Sequence, residues 1–418
     1  MSTNASLSLS YWGQNSYGAT HTDTANFQKN LSYYCQDETI DAIPLAFLNV
    51  FFSTGNLPSL DLSNICNVVD DAVFSGTNLP DCSFMAADIQ ACQAAGKIVT
   101  LSLGGATGGA GFSSADEATS FGDTIWNLFL GGSNDTRPFG DAVLDGIDLD
   151  IEGGSTQYFD SFVNRIRSLA SSASKQYYVT GAPQCPYPDA YMSTVLNAVA
   201  FDAVYVQFYN NYCGLPNFND SNSWDFSSWD DWAKNTAVNK DVKIYIGAPA
   251  SSTAANSGYV DASTLANIAL ETRSQYSSFG GVMLWDASQA YVNGRFDQAV
   301  KNAIRESDST ISSSASATSA SKVSGTARVA SAKFTTAATV DSCADIPAWV
   351  ANVAYNSAQN VIHNGHLFTA KTLTAGSTPG SASSDWTDNG VCASYNAPIP
   401  TQTSAAQSAL SPARSPTR

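Results

Sequence analysis

The chain has 418 residues, more than one hydrophobic core usually serves, so at least two folded units are expected. Its 36 acidic side chains against 19 basic ones give a formal charge of -17. That field repels nucleic acid and anionic membrane surfaces, and leaves a neutral or cationic polymer as a compatible partner. No apolar run approaches the roughly 20 residues that span a bilayer, and the C-terminus is polar rather than an anchor-attachment signal.

Along the first 300 or so residues, short β-rich apolar runs alternate with stretches long enough to hold a helix. Eight are expected as strands, at 7–12, 43–49, 98–104, 143–152, 177–182, 203–209, 242–247 and 281–285. Repeated strand–helix alternation implies a parallel sheet. Eight repeats imply closure into a (β/α)8 TIM barrel over residues 1–305, with an open doubly wound sheet as the runner-up. Residues 306–341 are rich in Ser, Ala and Thr and nearly free of large apolar side chains, which predicts a linker, with O-glycosylation compatible. A small β-rich module is expected at 342–393 and a disordered tail at 394–418. The module is too short for a large core and calls for a staple, which Cys343–Cys392 could supply. Its tryptophans, Trp349 and Trp386, are either core or an exposed pair that stacks on sugar rings.

The fourth run carries the chemistry. In Asp145-Gly146-Ile147-Asp148-Leu149-Asp150-Ile151-Glu152, the acids at 148, 150 and 152 share one face of a strand and the aliphatics the other. Successive carboxylates then lie roughly 6 to 7 Å apart. Partial burial disfavours their joint ionisation, so a proton is shared along the row and at least one pKa is raised. A metal-binding or merely solvated acidic strand is the plainer alternative. It leaves unexplained why every intervening residue is apolar.

Polar punctuation falls at other strand ends: Tyr11-Trp12-Gly13-Gln14-Asn15, Ser102-Leu103-Gly104-Gly105 and Gln207-Phe208-Tyr209-Asn210-Asn211. Barrel active sites collect at C-terminal strand ends, so these segments and Glu152 should converge on one cleft. Trp285, closing the eighth strand, is either core or an apolar platform for a sugar ring. Gly104 and Gly105 either make a turn or let backbone approach a ligand.

Asp145-x-x-Asp148-x-Asp150-x-Glu152 together with Ser102-x-Gly104-Gly105 resembles the signature pair of glycoside hydrolase family 18. Ala46-Phe47-Leu48-Asn49, Ala182-Pro183-Gln184-Cys185-Pro186 and Gly280-Gly281-Val282-Met283-Leu284-Trp285 resemble its class III, hevamine-type plant and fungal chitinases. The resemblance covers roughly residues 7–300. It implies an endo-acting, retaining chitinase without cofactor or metal, in which the substrate's own acetamido oxygen is the nucleophile. Glu152 is then general acid and base, Asp150 the acetamido partner, Asp148 its proton-sharing support and Tyr209 a donor to the acetamido oxygen. Tyr11, Gln207 and Trp285 are implied binding residues; Asp145, of opposite parity to the other three acids, reads as structural. A chitin-binding lectin without turnover and an endo-β-N-acetylglucosaminidase acting on glycoproteins are the competing readings; lectin relatives usually lose the acid that Glu152 supplies here.

By the same likeness Cys35 pairs with Cys92, Cys66 with Cys82 and Cys185 with Cys213. The Cys66–Cys82 segment is longer and more apolar than the plant pattern, and Gly153 stands where plant members often carry a bulkier residue. The C-terminal module loosely resembles small chitin-binding modules. Eight cysteines without a CxxC spacing and only three histidines argue against zinc sites. Four Asn-x-Ser/Thr sequons, at Asn4, Asn30, Asn134 and Asn219, point with the cysteines to an extracellular or cell-wall enzyme, expected as a monomer. Met1 to Ser6 show neither the charged nor the apolar stretch of a leader, so a leader absent from this chain is expected, with unconventional export as the alternative.

Overall fold

Eight parallel strands close into a barrel in strict chain order: β1 (Leu7–Ser10), β2 (Ala42–Leu48), β3 (Ile98–Gly105), β4 (Gly146–Ile151), β5 (Tyr178–Gly181), β6 (Ala203–Gln207), β7 (Lys243–Pro249) and β8 (Phe279–Trp285). This is the (β/α)8 architecture, and β8 pairs with β1 to leave no edge. The computed structural model describes residues 7–106 and 109–305. Of the C-terminal segment it describes 346, 349, 354–355, 359–363, 366–371, 374–375, 379 and 385–391. The expected linker at 306–341, the tail at 394–418 and the Cys343–Cys392 pair lie outside the described residues. By contacts the chain divides into two units, Met1–Ser321 and Lys322–Arg418.

Alternation within the strands sorts two apolar layers. Odd-numbered Ile147, Leu149 and Ile151 of β4 join Val99, Leu101 and Leu103 of β3 in the core between strands and helices. A second, smaller cluster fills the barrel interior and is rich in tyrosine: Tyr11, Tyr205, Tyr209 and Tyr245 with Leu9, Phe47 and Met283. Four hydroxyls in the interior foretell a polar site at its mouth. Around the barrel run α1 (Ala86–Ala94), α2 (Ala115–Phe129), α3 (Phe159–Ala170), α4 (Ser193–Ala198), α5 (Phe226–Asp231), α6 (Ala262–Gln275) and α7 (Ala287–Val292). Side chains of Ser114, Asp261 and Asp286 cap α2, α6 and α7, accepting from the otherwise unpaired first-turn N–H groups.

Three disulfides are formed, Cys35–Cys92, Cys66–Cys82 and Cys185–Cys213. The last ties the loop after β5 to the loop after β6, both at the C-terminal face. Asp145 lies at the opposite end, just before β4. Its carboxylate accepts from Val99 N at 2.7 Å and Gln93 Nε2 at 2.9 Å and pairs with Lys175 at 2.9 Å, which locks β3 to β4.

In the second unit, β9 (Ala354–Tyr355), β10 (Asn360–His363), β11 (His366–Ala370), β12 (Thr374–Ala375) and β13 (Trp386–Val391) form a three-stranded antiparallel sheet, β10-β11-β13, and a β12-β9 pair. Trp386 is buried with Val361, Phe368 and Ala370, so it is core and not half of an exposed sugar-stacking pair. Trp349 is half-buried against that core, its ring edge-on to His363.

Candidate active site

The site is assembled by strand register. Pairing of β3 with β4 sets Ser102 opposite Asp148 and Gly104 opposite Asp150, and pairing of β4 with β5 sets Thr180 beside Asp148. Three hydroxyls therefore converge on one buried carboxylate. Tyr11 donates to Asp148 Oδ2 at 2.6 Å, Ser102 to the same oxygen at 2.7 Å and Thr180 to Oδ1 at 2.7 Å. Burial pushes the Asp148 pKa up, and the three hydroxyls, which favour the charged form, pull against it.

Asp150, also buried, is pushed well above the usual carboxylate range, first by burial and then by the charges of Glu152 and Asp148. Glu152 stands one residue beyond the end of β4 rather than within the strand, and it is only half-buried. Burial raises its pKa as well, while hydrogen bonds from Gln207 and Asp150 restrain the rise. The more strongly perturbed Asp150 holds the proton and donates it towards Glu152. Both Asp148 oxygens, expected to share a proton with Asp150, already accept from three hydroxyl donors, and it is Glu152 whose hydrogen bond favours a proton on Asp150.

Several expected binding residues are placed differently. Tyr11 is 1% exposed and its hydroxyl is committed to Asp148, so it supports the acids from beneath instead of lining the cleft. Gln207 is buried too, its amide donating to Asp150 Oδ1 at 3.0 Å and to the Ala182 carbonyl at 2.9 Å. Gly104 and Gly105 answer to packing and not to ligand approach. Both have positive φ, and a Cβ on Gly104 would sit 2.4 Å from the Asp150 carbonyl oxygen, one on Gly105 2.8 Å from the Phe47 ring. Close approach of β3 to β4 at the acid row demands the first of these glycines.

Tyr209 and Trp285 remain available. The Tyr209 phenol is held protonated by burial and by the neighbouring charges of Asp150 and Glu152, and among the described residues its hydroxyl has no hydrogen-bond partner. Trp285 is half-buried, stacked on Phe47 at 5.9 Å and tilted against Tyr11 at 5.6 Å. Sequence reasoning met Phe47 only inside a motif, with no role given to it, and did not single out Thr180 or Asp189. Thr180 shares the inward parity of a four-residue strand too short to show alternation. Asp189 is 4% exposed and accepts from the backbone N–H groups of Gln184, Tyr191 and Met192. This pins the loop after β5, and its charge adds to the upward push on Asp150 and Glu152. Among the described residues no cluster of His, Cys, Asp or Glu is arranged to hold a metal ion, and no helix is long and apolar enough to cross a membrane.

A buried carboxyl that holds a proton, a half-exposed neighbour to receive it, an uncommitted phenol and an indole face can together protonate a leaving oxygen and hold a polar ring. The sequence profile of Glycosyl hydrolases family 18 matches residues 8–301. "Chitinase 2" of Rhizopus oligosporus is 49% identical over 300 residues, covering 72% of this chain and 52% of its own length. "Class III chitinase" of Arthroderma benhamiae is 42% identical over 318 residues, covering 73% of this chain and 92% of its own. Among solved structures, the ICChI chitinase of Ipomoea carnea superposes with a TM-score of 0.59 at 33% identity, over 72% of this chain and 100% of that one. The chain spans about half the length of the first of these relatives.

Proposed function

Since the chain belongs to glycosyl hydrolases family 18, we propose that it hydrolyses internal β-1,4 linkages of N-acetylglucosamine polymers, with retention and with the substrate's acetamido oxygen as nucleophile. The observation that carries this reading is the adjacent Asp150–Glu152 pair, in which burial raises both carboxyls and the charges of Glu152 and Asp148 push Asp150 well above the usual carboxylate range.

On this reading the proton shared by the pair passes from Asp150 to Glu152, leaving Asp150 ionised, and Glu152 delivers it to the glycosidic oxygen as the C1–O bond breaks. The acetamido carbonyl oxygen then bonds to C1, giving a cyclic oxazolinium that no enzyme carboxylate has attacked. Asp150 accepts from the acetamido N–H and its negative charge offsets the positive ring, while Asp148, fixed by Tyr11, Ser102 and Thr180, keeps the potential at that point negative. The free Tyr209 hydroxyl donates to the acetamido oxygen and sets its line of attack. Glu152, now ionised, removes a proton from the incoming water, which bonds to C1 from the face the leaving group vacated. Trp285 lies beneath the reacting sugar. A neutral, hydroxyl-rich polymer is also what a chain of charge -17 tolerates as a partner. The same reading takes residues 306–341 as a tether, O-glycosylated along its Ser/Thr run, and 342–393 as a module that adheres to insoluble substrate. It takes the protein as an extracellular or cell-wall monomer.

Replacing Glu152 by Gln tests the assignment. Hydrolysis of N-acetylglucosamine hexamer should be abolished while binding of the hexamer, followed by tryptophan fluorescence, persists. Full activity in Glu152→Gln would overturn it.

A further inference from the structure

On the outer wall of the barrel, between the segment after β6 and the C-terminal half of α6, lies a surface cavity of about 310 Å³. No residue of the acid row, nor Tyr209 or Trp285, lines it. Its size falls at the lower end of sites that hold small molecules.

The lining combines an aromatic wall with uncommitted polar groups. Trp224 is half-buried and held by its neighbours, stacked on Phe208 at 4.3 Å and edge-on to Phe218 at 5.1 Å, so its orientation is set before any ligand arrives. Tyr276 closes the other side. Among the described residues, the Trp224 indole N–H and the side-chain polar groups of Asn219 and Ser221 have no protein partner. For exposed groups water explains that. Thr272 is different: it is 1% exposed, it lines the cavity, and its Oγ1 is buried without a hydrogen-bond partner. Leaving a buried hydroxyl unpaired costs about 1–3 kcal/mol, so such groups are uncommon and call for an explanation.

The chemistry of the wall selects the ligand class. No Lys or Arg lines the cavity, and its one charged residue, Glu271, accepts from Gln275 at 3.1 Å, so an anion has nothing to bind. A purely apolar ligand would strand the hydroxyl and amide groups. An aromatic face beside separate hydroxyl and amide donors and acceptors suits a ring with one apolar face and equatorial hydroxyls. We propose that this cavity is a second saccharide-binding site that takes a neutral pyranoside unit. The ring can come from a free oligosaccharide or from this chain's own carbohydrate, because Asn219-Asp220-Ser221 is a glycosylation sequon with both Asn219 and Ser221 on the cavity lining.

Indole N–H resonances separate the possibilities. Glu152→Gln protein made in a bacterium, and so unglycosylated, is titrated with the trisaccharide of N-acetylglucosamine. If free sugar binds, the Trp224 resonance moves in a saturable manner, distinct from that of Trp285 in the catalytic cleft. Thr272→Val should weaken the Trp224 event about fivefold or more and leave the Trp285 event unchanged. In a second arm the protein is secreted from a fungal host and its glycan trimmed to one N-acetylglucosamine. If that sugar is the occupant, the Trp224 resonance is displaced relative to Asn219→Gln. A Trp224 resonance that stays fixed in both arms overturns the proposal. A Trp285 resonance that stays fixed sinks the cleft assignment instead, so the two failures are distinguishable.

Discussion

Tyr11→Phe removes a single oxygen from the centre of the site. The ring keeps its contacts with Phe47, Trp285 and Tyr205, but Asp148 loses its 2.6 Å donor and retains only Ser102 and Thr180. A hydrogen bond to a buried charged group is worth about 1.5–3 kcal/mol, against about 0.5–1.5 kcal/mol when both partners are neutral. The pKa of Asp148 is already raised by burial, and the lost bond favoured its ionised form, so the substitution raises it further. A carboxyl with a raised folded pKa contributes stability that is complete below the unfolded value and lost as pH rises through the folded one. The cost of Tyr11→Phe should therefore be about 1.5–3 kcal/mol at pH 8 and should shrink to roughly half or less near pH 3.5, where Asp148 is protonated in both proteins. Urea denaturation at the two pH values measures this. Activity offers a second readout. A protonated Asp148 no longer pushes Asp150 upward, so the alkaline limb of kcat/KM should move to lower pH. An equal stability cost at both pH values together with an unmoved limb would refute the proposed role of Tyr11 as support for a titrating acid.

Tyr209→Phe should lower kcat on the order of 10²-fold, the effect of losing one aligned donor at a developing charge. Its melting temperature should stay within about 2 °C of the parent, since the hydroxyl has no protein partner to lose. Asp225 is raised to about 6, chiefly by burial, and its Oδ1 is buried without a partner. Stability it contributes is present below the ordinary aspartate value and lost as pH rises through about 6. Asp225→Asn should thus stabilise the fold above pH 7 by about 1–2 kcal/mol, after allowance for solvent screening of this partly exposed group, and should bring no gain at pH 4; calorimetric scans at both values decide it.

The barrel was legible because parallel strands buried on both faces read as short apolar runs, and their polar C-terminal ends marked the rim before any contact was known. Boundaries were less so. The run at 203–209 stops as a strand at Gln207, and Glu152 projects one residue past β4, because side chains at the mouth of a barrel leave the ladder to face the cleft. The acid row was visible by its parity, but the hydroxyl cradle around Asp148 was not. That depended on Tyr11 and Thr180, which lie 137 and 32 residues from Asp148 and reach it only through register. Gly104 looked like a ligand contact for the same reason: nothing local reveals that the Asp150 carbonyl lies where its Cβ would stand. Trp386 is core because a module of this size has few other large side chains to bury.

The account depends most on the substrate acting as its own nucleophile over the Asp150–Glu152 pair. Proton NMR of the first products released from N-acetylglucosamine hexamer, recorded before the anomers interconvert, tests this most directly. The account predicts the β-anomer at the new reducing ends, with cleavage inside the chain. The α-anomer would mean a single displacement by water and would contradict it.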